Sequence, residues 1–199
     1  MSHLISHRHA MLSSPALPRG CVAVEYLQSS GIQWIDTGIT PTQATFFRVK
    51  MYLPSATSTL GKHGLNSTGG SNGRCAIGAN KTILYFGMAN TNTDISVANT
   101  VGLWWDCSID MPTGVISYNG ATRKVSHNRL STSHKLRLFQ AMSEPIACRL
   151  ALAQIAAGGV PLRDYIPVRR DGVGYLYDAV SRTLFGNAGS GAFTVGPDR

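Results

Sequence analysis

The chain has 199 residues and a mass of 21.3 kDa, with 43% hydrophobic and only 14% charged residues. A domain of this size buries roughly 70% of its unfolded surface without staples. The balance excludes intrinsic disorder, a coiled coil and a membrane span. Glutamate occurs only at Glu25 and Glu144, while Gly, Ser, Thr and Asn are plentiful, which points to short strands and tight turns rather than helices.

The net charge of +8 is uneven. Between 111 and 170, nine Lys/Arg oppose only Glu144 and Asp164, a local +7. Such an excess is expected first of solvent-facing strand positions; the alternatives are an acidic partner surface, a nucleic acid or a charged polysaccharide. No basic run exceeds two residues and no aromatic-rich signature accompanies it, so nucleic acid is not an expected partner. The four cysteines (21, 75, 107, 148) have no two-residue gap of a zinc or redox motif. Buried free thiols are expected, with two disulfides left open.

Residues 1–20 hold Pro15, Pro18 and three histidines but no sustained hydrophobic period or secretory core. They read as an N-terminal arm that orders only against a partner, with Arg8 and Arg19 as candidate docking residues. The domain proper spans 21–199.

From Cys21 onward the chain reads strand, turn, strand. Val22, Val24 and Tyr26 alternate, Ser29-Ser30-Gly31 turns, and Thr45–Leu53 is rich in aromatic and β-branched residues up to Pro54. Arg74–Ala79 and Thr82–Met88 follow as strands, then Val101–Ile109 with Trp104-Trp105. A hairpin is predicted at Val115–Tyr118, Asn119-Gly120, Ala121–Val125. Lys135–Ala141 alternates basic with apolar. Ile146–Ala157 is helix-forming by propensity, yet it alternates, with Cys148, Leu150 and Leu152 on one side. The all-β surroundings favour a strand. Leu162–Val168 is extended, with Pro167 protecting an edge. Arg163 and Asp164 are adjacent, so they face opposite sides and need different partners. Asp171-Gly172 turns, Tyr175–Tyr177 and Phe193–Val195 are strands, and turn signals every 8–15 residues indicate an all-β sandwich.

The run from Leu162 to Gly196, LRDYIPVRRDGVGYLYDAVSRTLFGNAGSGAFTVG, resembles the closing segment of a concanavalin A-like, laminin-G-like jelly-roll family common in bacteriophage virion proteins and gut-bacterial surface proteins. The opening VEYLQSSGIQWIDTGITP (Val24–Pro41) and the hairpin GVISYNGATRKV (Gly114–Val125) are similar to the same family. The resemblance covers roughly residues 22–196, departing where Tyr175 and Trp34 replace the usual Gly and Tyr. It implies a jelly-roll β-sandwich in which the first and last strands meet. It makes these motifs scaffold rather than site, with Arg163, Asp164, Tyr177 and Asp178 structural.

Catalytic chemistry is sought and not found. A glycosidase needs two carboxylates about 5–9 Å apart. The two glutamates lie 119 positions apart, and Asp106 and Asp110, on one face of a strand, stand ~13 Å apart. Gly69-Gly70-Ser71-Asn72-Gly73 matches Gly-x-Ser-x-Gly without its strand and helix, and His63, His127 and His134 have no acid nearby in sequence. His3, His7 and His9 read as solvated, and Asn90–Asp94 as a loop with a few oxygens that calcium could use. No cofactor is expected. Trp104 and Trp105 are the candidate glycan-binding residues, one of them buried and one exposed by strand alternation.

The expectation is therefore a non-enzymatic virion structural protein, of capsid or tail, anchored by its arm to other virion proteins and to copies of itself. The alternative is a carbohydrate-binding module on a virion or bacterial surface, with a host-surface glycan as partner and no membrane.

Overall fold

The structure is a computed structural model that describes residues 16–55, 63–67, 73–141 and 144–199, with side chains left aside at 63–67, 141 and 144–145. Arg8, the three arm histidines and most of the Gly-x-Ser-x-Gly run lie outside the described residues. Arg19 is exposed in the turn that leads into the first strand.

In chain order the strands are β1 (Cys21–Ala23), β2 (Leu27–Ser30), β3 (Ile35–Asp36), β4 (Thr45–Tyr52), β5 (His63–Ser67), β6 (Arg74–Ala79), β7 (Ile83–Ala89) and β8 (Thr91–Ser96). They continue as β9 (Trp104–Asp110), β10 (Val115–Tyr118), β11 (Ala121–Lys124), β12 (Arg137–Leu138), β13 (Gln140–Ala141) and β14 (Glu144–Pro145). The last are β15 (Ala147–Ala157), β16 (Val160–Arg170), β17 (Val173–Asp178), β18 (Thr183–Phe185) and β19 (Thr194–Val195).

Among the described residues these form two sheets. The larger, 11-stranded and antiparallel, runs β11-β10-β9-β4-β15-β16-β17-β18, with β1 beside β16, and with β2 beside both β15 and β19. The smaller, 8-stranded, runs β14-β13-β5-β6-β7-β8, and β12 links β5 to β3. One apolar cluster serves both: Phe47, Val49, Ile109 and Leu150 of the large sheet join Ile77, Phe86 and Met88 of the small one. Alternation builds this core. On β4, Thr45, Phe47, Val49 and Met51 point inward, while Phe46, Arg48, Lys50 and Tyr52 point away.

The expected hairpin forms with the register Val115↔Lys124 to Tyr118↔Ala121. Asn119 and Gly120 both take positive φ (45° and 87°), as a two-residue turn matched to strand twist requires. The opening and closing segments of the domain meet, since β19 pairs with β2 and Val24, just after β1, bridges Asp198. None of the four cysteines is joined in a disulfide, and three of them are buried.

Ala147–Ala157 is a strand, because its burial between two neighbours outweighs helix propensity. Its facing differs from the expected one. Against β4 the register slips between Leu150 and Leu152, so Ala151 and Leu152 together occupy the place opposite Lys50. Beyond this bulge it is Ala153, fully buried, that points inward in place of Leu152.

Two further expectations are corrected. Pro167 does not guard a sheet edge; it sits where β16 exchanges its neighbour β15 for β1, and its carbonyl accepts from Val24 N at 3.0 Å while its missing N–H cannot return the bond. Asn90–Asp94 is not a loop, for Thr91–Ser96 forms β8 with Thr93 and Ile95 buried.

Arg163 and Asp164 do take different partners. Asp164 accepts from Gln154 Nε2 (3.0 Å), whereas Arg163 donates to Thr37 O (3.1 Å) and lies 3.7 Å from Asp178. Asp178 is fully buried and accepts from the N–H groups of Asp164, Val180 and Ser181 and from Ser181 Oγ. Removing that carboxylate orphans several donors at once. Asp178→Ala is expected to cost about 3 kcal/mol, read as a lower urea midpoint at unchanged m-value.

Burial pushes the thiols of Cys75 and Cys148 up from 9.0 to about 12, and raises that of Cys107 as well. Their folded values exceed the unfolded ones. The stability gained by keeping them neutral is complete below about pH 9 and is lost as pH rises toward 12. The urea midpoint is expected to fall steeply above pH 9, and Cys75→Ala to flatten that fall.

Candidate functional site

The outward face of the large sheet carries two rows of side chains with opposite character. The first is polar and closed. Ser108 Oγ lies 2.6 Å from Ser117 Oγ, Arg48 Nη1 reaches Gln154 Oε1 at 3.4 Å, and Gln154 Nε2 donates to Asp164. Arg48 also grips Asp106 through Nε and Nη2, at 2.8 and 2.6 Å. Its hydrogen bond to that carboxylate raises the guanidinium pKa against the opposing pull of burial. This row leaves few polar groups for a ligand.

The second row is aromatic, cationic and open. The registers Trp104↔Tyr52, Tyr52↔Arg149 and Arg149↔Gln28 line up β9, β4, β15 and β2 at one level. At ~4.8 Å per strand the row spans about 14 Å, enough for a short oligosaccharide. Tyr26, just ahead of β2, closes the group. The Trp104 ring lies 5.4 Å from Tyr52 and 6.0 Å from Tyr26. The Arg149 guanidinium sits over both tyrosines, at 4.6 and 4.8 Å, with its Nε donating to Gln28 Oε1 at 2.7 Å. Lys50, exposed, holds its ammonium 5.9 Å from the Trp104 ring. Trp104, Tyr26, Tyr52, Gln28 and Arg149 are all half-buried, so each ring is already fixed while one side stays wet.

Strand alternation splits the indole pair as expected. Trp105 is the buried member, 9% exposed, with its Nε1 donating to Thr100 O at 3.2 Å. It belongs to the core, and its candidacy for glycan contact is withdrawn. Trp104 alone of the pair faces out. Trp34 is half-buried elsewhere, under the Arg137 guanidinium at 4.7 Å.

Tyr26 is a correction of another kind. It belongs to the opening motif read as scaffold, yet its ring completes this surface. Lys50, Tyr52, Arg149 and Gln28 were not singled out by sequence reasoning. The available signal was the outward alternation Arg48, Lys50, Tyr52 on a strand whose inward residues are apolar.

Other candidates are spent. His127 lies between two backbone carbonyls, Met111 O and Asn128 O, and among the described residues pairs with no acid. Asn92 Oδ1 accepts from Tyr85 Oη at 2.5 Å and Asn90 Oδ1 accepts from Asn128 N, so the two amide oxygens considered for calcium already have donors. Among the described residues no group of three or more His, Cys, Asp or Glu converges as a metal site.

No family model and no curated protein matches this sequence. Among solved structures, a protein of Bacteroides ovatus ATCC 8483, assigned provisionally as carbohydrate-binding, matches with a TM-score of 0.55 and 11% identity. The match covers 88% of this chain and 60% of that one, so the chain spans less than two thirds of that protein's length. What the two share is an all-β fold. At 11% identity the likeness is one of fold alone.

Tyr26 owes its position to Gly196. A Cβ there would stand 2.8 Å from two ring carbons of Tyr26, closer than atoms pack. Gly196→Ala is expected to push the ring off Trp104 and alter the near-ultraviolet circular dichroism, with the far-ultraviolet spectrum unchanged.

Proposed function

We propose that this chain is a non-catalytic carbohydrate-binding module with a concanavalin A-like jelly-roll sandwich. The observation that carries the reading is the level row Trp104, Tyr52, Arg149, Gln28 across four strands. Sugars present alternating C–H faces and hydroxyl edges. Half-buried rings offer the C–H faces a prefixed apolar surface, at little entropic cost on binding. Arg149 and the Gln28 amide supply donors beside them, and Gln28 also an acceptor, for the hydroxyls. The similar fold of the Bacteroides protein supports the reading. A catalytic role would need paired carboxylates at the row. Asp106 is instead clamped by Arg48, and Asp110 lies four residues further along the same strand.

A glycan array probed with the full chain tests this. Trp104→Ala is expected to weaken binding at least ~10-fold with the urea midpoint nearly unchanged. Trp105→Ala should instead destabilise the fold by ~3 kcal/mol. An array without any bound glycan, or Trp104→Ala binding as well as the wild type, would overturn the proposal.

A further inference from the structure

We infer that the saccharide taken by this row is acidic, carrying a carboxylate or sulfate ester that Arg149 and Lys50 neutralise; the inference rests on the carbohydrate-binding reading above. Lys50 stands directly opposite Asp106 in the β4–β9 ladder. That acid should be its ion partner. Both Asp106 oxygens, however, are taken by Arg48, and the Lys50 ammonium rests instead by the Trp104 ring. Arg149 spends its Nε on Gln28. Among the described residues its two Nη atoms have no hydrogen bond, and no carboxylate lies within ion-pair distance of Arg149 or Lys50.

The two cations flank Tyr52. Lys50 is two residues along the same strand and Arg149 is directly across, which sets them at a diagonal of ~7–8 Å. A sugar seated on Trp104 and Tyr52 therefore places its anionic substituent between a point charge and a guanidinium fork. The fork is shaped for bidentate contact with carboxylate or sulfate oxygens. A neutral sugar would leave both charges without use.

A single-stranded nucleic acid also combines rings with negative charge. Its phosphates would have to continue past the row, and the adjoining row presents Asp106 and Asp164 rather than further free cations. The surface favours one or a few charges close to stacked rings.

Calorimetric titration of the full chain with four probes tests the inference: oligogalacturonate, its methyl ester, a sulfated galactan oligomer and oligothymidylate. At least one acidic glycan is expected to bind 10-fold or more tightly than the methyl ester, with the gap narrowing as salt rises. The carboxylate and sulfate arms identify which anion is preferred. Lys50→Gln, at an exposed position, should weaken the acidic glycan several-fold more than it weakens the methyl ester. Arg149→Lys should reduce it through loss of the fork. Equal affinity for acid and ester, or binding of neutral array glycans alone, would overturn the acidic preference and leave the carbohydrate-binding reading standing. Failure of every glycan would remove both. Oligothymidylate binding as tightly as the best acidic glycan would overturn the inference in favour of a nucleic acid.

Discussion

The bulge in β15 is the constraint on which the outward face depends. Arg149 and Gln154 are five residues apart, and in a regular strand an odd separation places them on opposite faces. Doubling Ala151 and Leu152 against Lys50 restores both to the same side, with Leu150 and Ala153 both in the core. The same place is where β15 leaves β2 behind and takes up β16. The bulge also frees the carbonyl of Ala151 from regular pairing, and Arg199 Nη2 donates to it at 3.2 Å and to Glu25 O at 3.0 Å. One irregularity thus lets a single strand serve two neighbours and contribute to two outward-facing rows.

Those rows divide the chemistry between them. Arg48, Asp106, Gln154 and Asp164 satisfy each other across three strand boundaries and stiffen the sheet where it is widest. By occupying Asp106 they also determine what remains free next to Trp104. A charge pair that adds little stability at a half-exposed site can still decide which neighbouring charge stays available. The polar row and the aromatic row are in this sense one arrangement.

Much of the fold was legible in the sequence because its signals are local. Asn119-Gly120 between alternating segments specifies a hairpin, and Tyr175–Tyr177 marks a strand after the Asp171-Gly172 turn, observed as Val173–Asp178. The facing of Leu152 was not legible, since a bulge carries no local mark in an Ala- and Leu-rich run. β8 was hidden by its Asn and Thr content, although Thr93 and Ile95 alternate inward. The candidate site was the least legible part. Arg149 and Gln28 are 121 positions apart, and they meet only because the ladder order is β9-β4-β15-β2, which no window of sequence contains. Alternation predicted that one of Trp104 and Trp105 would be outside, but only the register with Tyr52 shows which.

The final residues have a mechanical consequence. Val24 bridges Asp198, Glu25 N donates to Pro197 O, Arg199 N donates to Ala23 O, and Arg169 holds Asp198 at 2.9 Å. The segment therefore lies antiparallel to the start of the domain, with Cys21 and Arg199 at the same end of the ladder. A pull applied between those two points would not shear the sheet. It would load these bonds one after another, as in opening a zipper, with the Asp198 clasp among the first to part. Tyr26 and Gly196 come next along that line, so tension on the two ends would disturb the aromatic row before it reached the core.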